Sequence, residues 1–298
     1  MKKIILFAVL LTPLALCAQR PVVPSSPTVA DLPPAPPPSD QISGAALDGQ
    51  NLYITTDDGW SINMTVKDPS DGQSKYVILL PDLGDNKSSY AKLANALSDR
   101  GFGYAALDLR GHGKSARIHY SKFSKTGIDN QFNKMYKDVN AAVNYLKTVK
   151  NFAPKNIFIL GSGLGANVAA NSIVFNNDIG GAALISPSSN IRDVLAIPGV
   201  KVSKIPLLIA AAPDNKKLFL EASLIRNIAF LAQGPGRITF VTAFDKDGTD
   251  MINAYITPNI LAWVRIPAFP GVKEDSSATA ETAADAPPPA EDINSIPL

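Results

Sequence analysis

The sequence predicts an α/β fold with a mostly parallel central sheet, helices on both faces and an antiparallel hairpin at its start. Two alternating stretches flank Asp57-Asp58-Gly59, which is typical of a hairpin with an Asp-Gly turn. Short, continuous apolar runs then alternate with helical stretches, as expected for parallel strands covered on both faces.

The elements follow in chain order. The hairpin strands are Asn51–Thr56 and Ser61–Val66. Buried strands are expected at Tyr76–Leu80, Gly103–Asp108, Asn156–Leu160, Gly181–Ser186, Pro206–Ala211 and Arg237–Val241. Helices are expected at Tyr90–Arg100, Phe132–Val149 and Leu164–Phe175, between the last two strands, and at Asp250–Val264. The stretch from Ser188 to Pro206 is too short for a sizeable lid, so a minimal cap is expected.

The two ends of the chain differ in composition from its centre. Two lysines precede a mostly apolar run, Ile4–Leu16, and small residues follow, which predicts a signal peptide at residues 1–18. The run is shorter than the ~20 residues that span a bilayer. A Pro-rich linker is expected at 19–45 and a disordered Ala-, Pro- and acid-rich tail at 271–298. The sequence therefore predicts an exported bacterial protein, periplasmic or secreted, whose folded domain is residues 46–270.

Cys17 is the only cysteine. Leu14-Ala15-Leu16-Cys17 resembles a lipobox, in which the cysteine is lipidated, but the preceding residue is normally small and Leu16 is not. Cleavage near Ala18 is favoured over a lipoprotein, and it would leave a mature chain without disulfide or thiol chemistry. Lipidation at Cys17 is the only membrane attachment that we expect.

The net charge of +2 is close to balanced, so the chain lacks the basic excess expected of nucleic-acid binding. The glycines at 161, 163 and 165 lack the spacing of the dinucleotide fingerprint and do not follow the first strand of the sheet. No cofactor and no metal is expected. The partner is expected to be an unidentified small molecule or envelope protein.

Three motifs follow predicted strands, at the edge where such a sheet places its site. They are Asp108-Leu109-Arg110-Gly111-His112-Gly113-Lys114-Ser115, Gly161-Ser162-Gly163-Leu164-Gly165 and Asp247-Gly248-Thr249-Asp250-Met251. With these motifs, the chain from Asn51 to Arg265 resembles the α/β-hydrolase superfamily, in its small, essentially capless form. The resemblance implies acyl hydrolysis by a serine, an acid and a histidine, in that chain order.

The nucleophile position of that resemblance carries Gly163. The G-x-S-x-G turn forces its middle residue towards positive φ, which glycine adopts at almost no cost, so the turn is expected to persist without the nucleophile. Ser162 is a secondary candidate. A shift of register by one residue would put Leu160 and Leu164 at the small positions, where they would clash.

The other two catalytic positions are also altered or isolated. Asp214 follows the strand that carries the acid, whereas Asp247 stands where the resemblance implies the histidine. The chain has only 2 histidines, His112 and His119, and both precede Gly163. His112 is a secondary candidate from a motif that is normally structural, and His119 is expected to be exposed.

The resemblance implies an oxyanion hole made by the main-chain N–H groups of Leu83 and Leu164. Main-chain donors survive side-chain change, so the hole is expected to persist. Asp82 brings a negative charge close to it, which would oppose an oxyanion.

These observations predict a non-catalytic α/β-hydrolase-fold protein that acts by binding in the cell envelope. The alternative is an active hydrolase of carboxylic-ester or related acyl substrates with a non-standard site. Asp82, Asp214 and Asp247 could converge as acid and base, or hold a cation such as Ca²⁺. A third possibility is an interaction protein that works through its tails.

Overall fold

The computed structural model describes residues 46–70 and 75–267. The predicted hairpin forms as β1 (Gln50–Thr55) and β2 (Ser61–Lys67), which pair antiparallel with Ile54 opposite Ile62. Two main-chain hydrogen bonds close the Asp-Gly turn: the N–H of Gly59 donates to Thr56 O, and the N–H of Thr56 donates to Trp60 O.

The remaining strands follow the predicted apolar runs, with two short strands added. They are β3 (Tyr76–Leu80), β4 (Gly103–Leu107), β5 (Ile157–Ser162), β6 (Gly181–Ile185), β7 (Asn190–Ile191), β8 (Val194–Leu195), β9 (Leu207–Ala211) and β10 (Ile238–Thr242). Eight of the strands form one sheet in the order β1-β2-β4-β3-β5-β6-β9-β10, which is parallel from β4 to β10. The mostly parallel sheet predicted from the sequence is confirmed.

Helices join the parallel strands and cover both faces of the sheet. They are α1 (Ala91–Asp99), α2 (Tyr136–Thr148), α3 (Leu164–Ser172), α4 (Ile197–Lys201), α5 (Lys216–Gln233), α6 (Gly248–Met251) and α7 (Thr257–Arg265). A π-helical turn, Ile252–Ile256, links the last two helices. None of the described helices is both long and apolar enough to cross a membrane.

The core lies on both faces of the sheet because its central strands are buried throughout. Every residue of β3, β4, β5, β6 and β9 is buried. One apolar cluster packs α2, α3 and α5 against one face, and a second packs α1 and the C-terminal helices against the other. This two-sided burial explains why these strands read as continuous apolar runs.

The D-x-R-G-x-G-x-S turn after β4 is held by buried charges. The guanidinium of Arg110 has no exposed surface and bonds the carboxylates of Asp138 and Asp58. Asp108 accepts the main-chain N–H groups of Lys87 and Lys114, at 2.8 and 2.9 Å. These contacts fix the loops after β3 and β4, which border the site.

The expected minimal cap consists of a short hairpin. β7 and β8 pair antiparallel around Arg192 and Asp193, both with positive φ, and α4 follows. The predicted signal peptide (1–18), linker (19–45) and tail (271–298) lie outside the described residues.

Candidate functional site

The turn between β5 and α3 has the geometry that the glycine-rich motif predicts. Gly163 lies there with φ 51° and ψ −115°, a left-handed conformation that favours glycine. A Cβ at Gly161 would overlap the carbonyl of Gly165, so strand and helix touch at these two positions. Because neither position has room for a leucine, the register that would centre Ser162 does not fit.

The carboxylate of Asp82 fills the space beside Gly163 where a nucleophile's side chain would lie. A Cβ added to Gly163 would come well within 3.0 Å of Cγ and both carboxylate oxygens of Asp82, closer than real Cβ atoms approach. The two residues meet because β3 and β5, which precede them, are paired parallel neighbours. A side chain at position 163 and Asp82 in its present place therefore exclude one another.

The two amides predicted as oxyanion-hole donors converge on one oxygen of Asp82. The N–H of Leu83 donates to Oδ1 at 2.6 Å, and the N–H of Leu164 donates to the same oxygen at 2.7 Å. Both distances are in or near the range of charge-assisted hydrogen bonds. Since Leu164 begins α3, the carboxylate also lies at the positive end of that helix dipole. The negative charge expected near the hole thus lies inside it.

Ser162 faces away from this space, into a buried chain of hydroxyl groups. Its Oγ lies 3.0 Å from Oγ1 of Thr249 and 2.9 Å from the hydroxyl of Tyr90, whose O–H also reaches Leu80 O at 2.8 Å. Burial raises the pKa of Tyr90, so this hydroxyl keeps its proton. The hydroxyls of Tyr90 and Thr249 both lie within hydrogen-bond distance of Ser162 Oγ, which satisfies the Ser162 hydroxyl.

Asp247 lies between two polar side chains. Its Oδ2 accepts a hydrogen bond from Nδ2 of Asn215 at 2.8 Å, and its Oδ1 lies 3.4 Å from Oγ of Ser186. The N–H of Gly248 donates to that same Ser186 Oγ at 2.9 Å. Ser186 follows β6 with φ 50°, which is uncommon for a residue other than glycine.

Asp214 does not join this group. Its side chain is exposed, and Oδ2 accepts the main-chain N–H of Asp245 at 3.0 Å. Asn215, the next residue, contacts Asp247 in its place and also caps α5. Of the three acids that the sequence suggested could converge, Asp82 and Asp247 line one cavity and Asp214 does not.

Neither histidine lines the cavity. His112 is buried, stacks on Tyr120 with ring centroids 4.4 Å apart, and bonds Arg110 O through Nδ1 at 3.1 Å. Burial lowers the pKa of His112 from 6.5 to about 4, so the ring is neutral near pH 7 and Nδ1 carries the proton. His119 is exposed, as expected, and bonds Ser121.

A cavity of about 380 Å³ opens beside Gly163 at the carboxyl ends of the strands. Its lining residues are Asp82, Asp85, Gly163, Ser186, Ile191, Leu218, Asp247, Gly248, Thr249 and Asp250. Four of these residues are acidic and none is basic. Burial, and then the charges of Asp82 and Asp250, raise the pKa of Asp85. Nevertheless, within the described ranges no group of three or more acidic, histidine or cysteine side chains is placed to hold a metal ion.

The sequence analysis missed Ser186, Asn215 and Asp85 as cavity or contact residues. Ser186 stands at the end of a strand that neighbours β5, and this position was a usable signal. Asn215 is adjacent to the acid that was singled out, and only the course of the loop decides which of the two contacts Asp247. Asp85 lies three residues after Asp82, and its main-chain N–H donates to Asp82 O. This turn places Asp85 beside the cavity.

Comparisons with known proteins agree with this architecture. A family model described as serine aminopeptidase, S33, matches residues 72–233, more than half of the chain. The esterase Pf2001 of Pyrococcus furiosus is 17% identical, with a TM-score of 0.58 over 74% of this chain and 92% of its own. A carboxyl esterase of Bacillus coagulans is 12% identical, with a TM-score of 0.60 over 72% of this chain and 97% of its own.

A more distant case is an acylaminoacyl peptidase of Pyrococcus horikoshii, 10% identical, with a TM-score of 0.55 over 73% of this chain and 41% of its own. No curated protein matches the sequence. At these identities, the likeness to solved structures shows the fold.

Proposed function

Because this chain belongs to the S33 serine aminopeptidase family of α/β hydrolases, we propose that it is a non-catalytic member that binds a ligand in the cavity beside Gly163. The ligand is a small molecule or a segment of an envelope protein. The cavity lies at the strand edge where this fold places its ligands, and its volume of about 380 Å³ is within the range of small-molecule sites.

The observation that carries this proposal is the position of Asp82. Its carboxylate takes the place of a nucleophile's side chain. It also accepts hydrogen bonds from the Leu83 and Leu164 amides, the two donors that would stabilise a tetrahedral intermediate. An acyl substrate would have to displace an anionic group to reach either amide. The missing side chain at Gly163 removes the nucleophile, and Asp82, which fits only because that side chain is missing, fills the oxyanion hole.

Magnitudes favour binding over hydrolysis. Loss of the serine or the histidine alone costs serine hydrolases on the order of a million-fold in turnover. A free oxyanion hole with substrate binding retains roughly 10³–10⁴-fold over water. Here the nucleophile position is glycine, Asp247 stands at the base position, and the hole is filled.

One observation favours the alternative, an active hydrolase with a non-standard site. Ser186 lines the cavity with a strained backbone, next to a carboxylate that Asn215 orients. However, the 3.4 Å from Ser186 Oγ to Asp247 exceeds the usual O–H···O range of about 2.5–3.0 Å. The Gly248 amide already donates to this hydroxyl oxygen.

Incubation with a fluorophosphonate probe and with a panel of nitrophenyl esters separates the two functions. The proposal predicts an unchanged intact mass and ester turnover equal to that of heat-denatured protein. Adduct formation that disappears in Ser186→Ala or Ser162→Ala would establish the alternative instead. Each variant serves as the control for the other, because the two hydroxyls belong to different hydrogen-bond chains.

Export to the envelope is part of the proposal and rests on residues 1–18 alone. Mass spectrometry of the protein recovered from cells is expected to find a mature N-terminus near Ala18 or Gln19. A lipid mass on Cys17 that is absent in Cys17→Ala would show a lipoprotein. A full-length chain in the cytoplasmic fraction would contradict export.

A further inference from the structure

We propose that Asp82 excludes anionic ligands from this site, because its own side chain fills the oxyanion hole and keeps free carboxylates out. Withdrawing the Asp82 side chain would turn the hole into a site for a free carboxylate. The inference rests on the proposed function and deepens it, because it states which class of ligand the cavity excludes and which residue excludes it.

The hole is built for one anionic oxygen. The amides of Leu83 and Leu164 come from different elements, the loop after β3 and the first turn of α3, yet both point at Oδ1 of Asp82. Neither donor depends on a side chain, so removal of the Asp82 carboxylate leaves both in place. An oxygen of a free carboxylate could then accept the same two hydrogen bonds at the same helix N-terminus.

The space is also shaped for a carboxylate. Asp82 fits because Gly163 has no Cβ, since such an atom would overlap all three carboxylate atoms. On the opposite side, a Cβ on Gly248 would meet Oδ2 of Asp82 at 3.7 Å, an ordinary van der Waals contact. A molecule with the outline of the Asp82 side-chain end, such as acetate, therefore matches the vacated volume.

The charges of the cavity support the replacement of the Asp82 side chain by a free carboxylate. Asp85, Asp247 and Asp250 also line the cavity, and none of its lining residues is basic, so a second anion beside Asp82 is repelled. When Asp82 is replaced by alanine, one carboxylate leaves the cavity. A bound acetate restores the charge of the wild-type site and places it on the same two amides.

Thermal unfolding of the full-length protein in acetate tests this inference. At pH 7, where acetate is ionised, Asp82→Ala should gain a saturable rise in melting temperature, about 3–6 °C at ten times the acetate Kd. Wild type and Asp250→Ala should show no rise beyond that in sodium chloride of equal ionic strength. Asp250→Ala is the matched control, because it removes a cavity carboxylate without freeing either amide.

A folded Asp82→Ala variant that responds to acetate no more than to chloride would overturn the inference, as would an equal acetate response in wild type. If Asp82→Ala does not fold in chloride, the yield on refolding in acetate is measured instead. Rescue by acetate alone supports the inference, and failure in both salts overturns it. Labelling by fluorophosphonate bears on the proposed function only, so the two can fail separately.

Discussion

Gly163→Ala is expected to destabilise the protein through its collision with Asp82. The new Cβ would lie well inside 3.0 Å of three Asp82 atoms, so the carboxylate must leave the amides of Leu83 and Leu164. Losing these charge-assisted bonds costs about 2 kcal/mol after the carboxylate is rehydrated. Holding alanine at φ 51° and ψ −115° costs about 1–3 kcal/mol more. The free energy of unfolding should therefore fall by about 3–5 kcal/mol.

A double-mutant cycle isolates the collision from the backbone strain. In the Asp82→Ala background only the strain remains, so Gly163→Ala should cost about 2 kcal/mol less there than in wild type. Gly127→Ala is the matched control, because Gly127 also has positive φ, at 81°, but nothing lies within 4 Å of an added Cβ. Urea unfolding followed by circular dichroism gives all four free energies. Equal costs of Gly163→Ala in the two backgrounds would refute the steric exclusion.

Three further predictions concern buried polar groups. Because burial lowers the pKa of His112 from 6.5 to about 4, its stabilisation is present above pH 6.5 and is lost as the pH falls towards 4. Between pH 7 and pH 4, the free energy of unfolding of His112→Phe should therefore fall by about 2–3 kcal/mol less than that of wild type, as measured by urea unfolding. The same pH dependence in both proteins would contradict this. Asp138→Asn leaves the fully buried Arg110 under-compensated and should lower the free energy of unfolding by about 3–5 kcal/mol, whereas a loss below 1 kcal/mol would contradict the reasoning. Ser162→Ala breaks the hydroxyl chain to Tyr90 and should cost about 1–2 kcal/mol without changing ester turnover.

The fold could be predicted because its determinants are local. The Asp-Gly turn at Asp58 and Gly59 marks the hairpin, and the two-sided burial of runs such as Tyr76–Leu80 and Ile157–Ser162 makes them continuously apolar. The helix boundaries were less accurate. The single helix predicted at Asp250–Val264 is two helices, α6, which begins at Gly248, and α7, linked by the π-helical turn Ile252–Ile256. The hydroxyl of Thr257 donates to Ile252 O in that turn, a contact that apolar periodicity does not report.

The candidate site could be predicted only in part. The glycine at position 163 and the negative charge of Asp82 were visible in the sequence, but their mutual exclusion depends on two strands pairing across 81 residues. Asn215, and not its neighbour Asp214, contacts Asp247. Which of the two does so depends on the conformation of the loop that precedes α5. Side-chain direction in such loops is set by tertiary contacts, and the sequence pattern carries no signal for it.

The decisive measurement is the intact mass of the wild-type protein after exposure to a fluorophosphonate probe. No adduct is expected, because Gly163 offers no nucleophile, the Ser162 hydroxyl is engaged in a buried chain of hydroxyl groups, and Asp82 fills the oxyanion hole. A stoichiometric adduct that Ser186→Ala or Ser162→Ala abolishes would contradict this expectation.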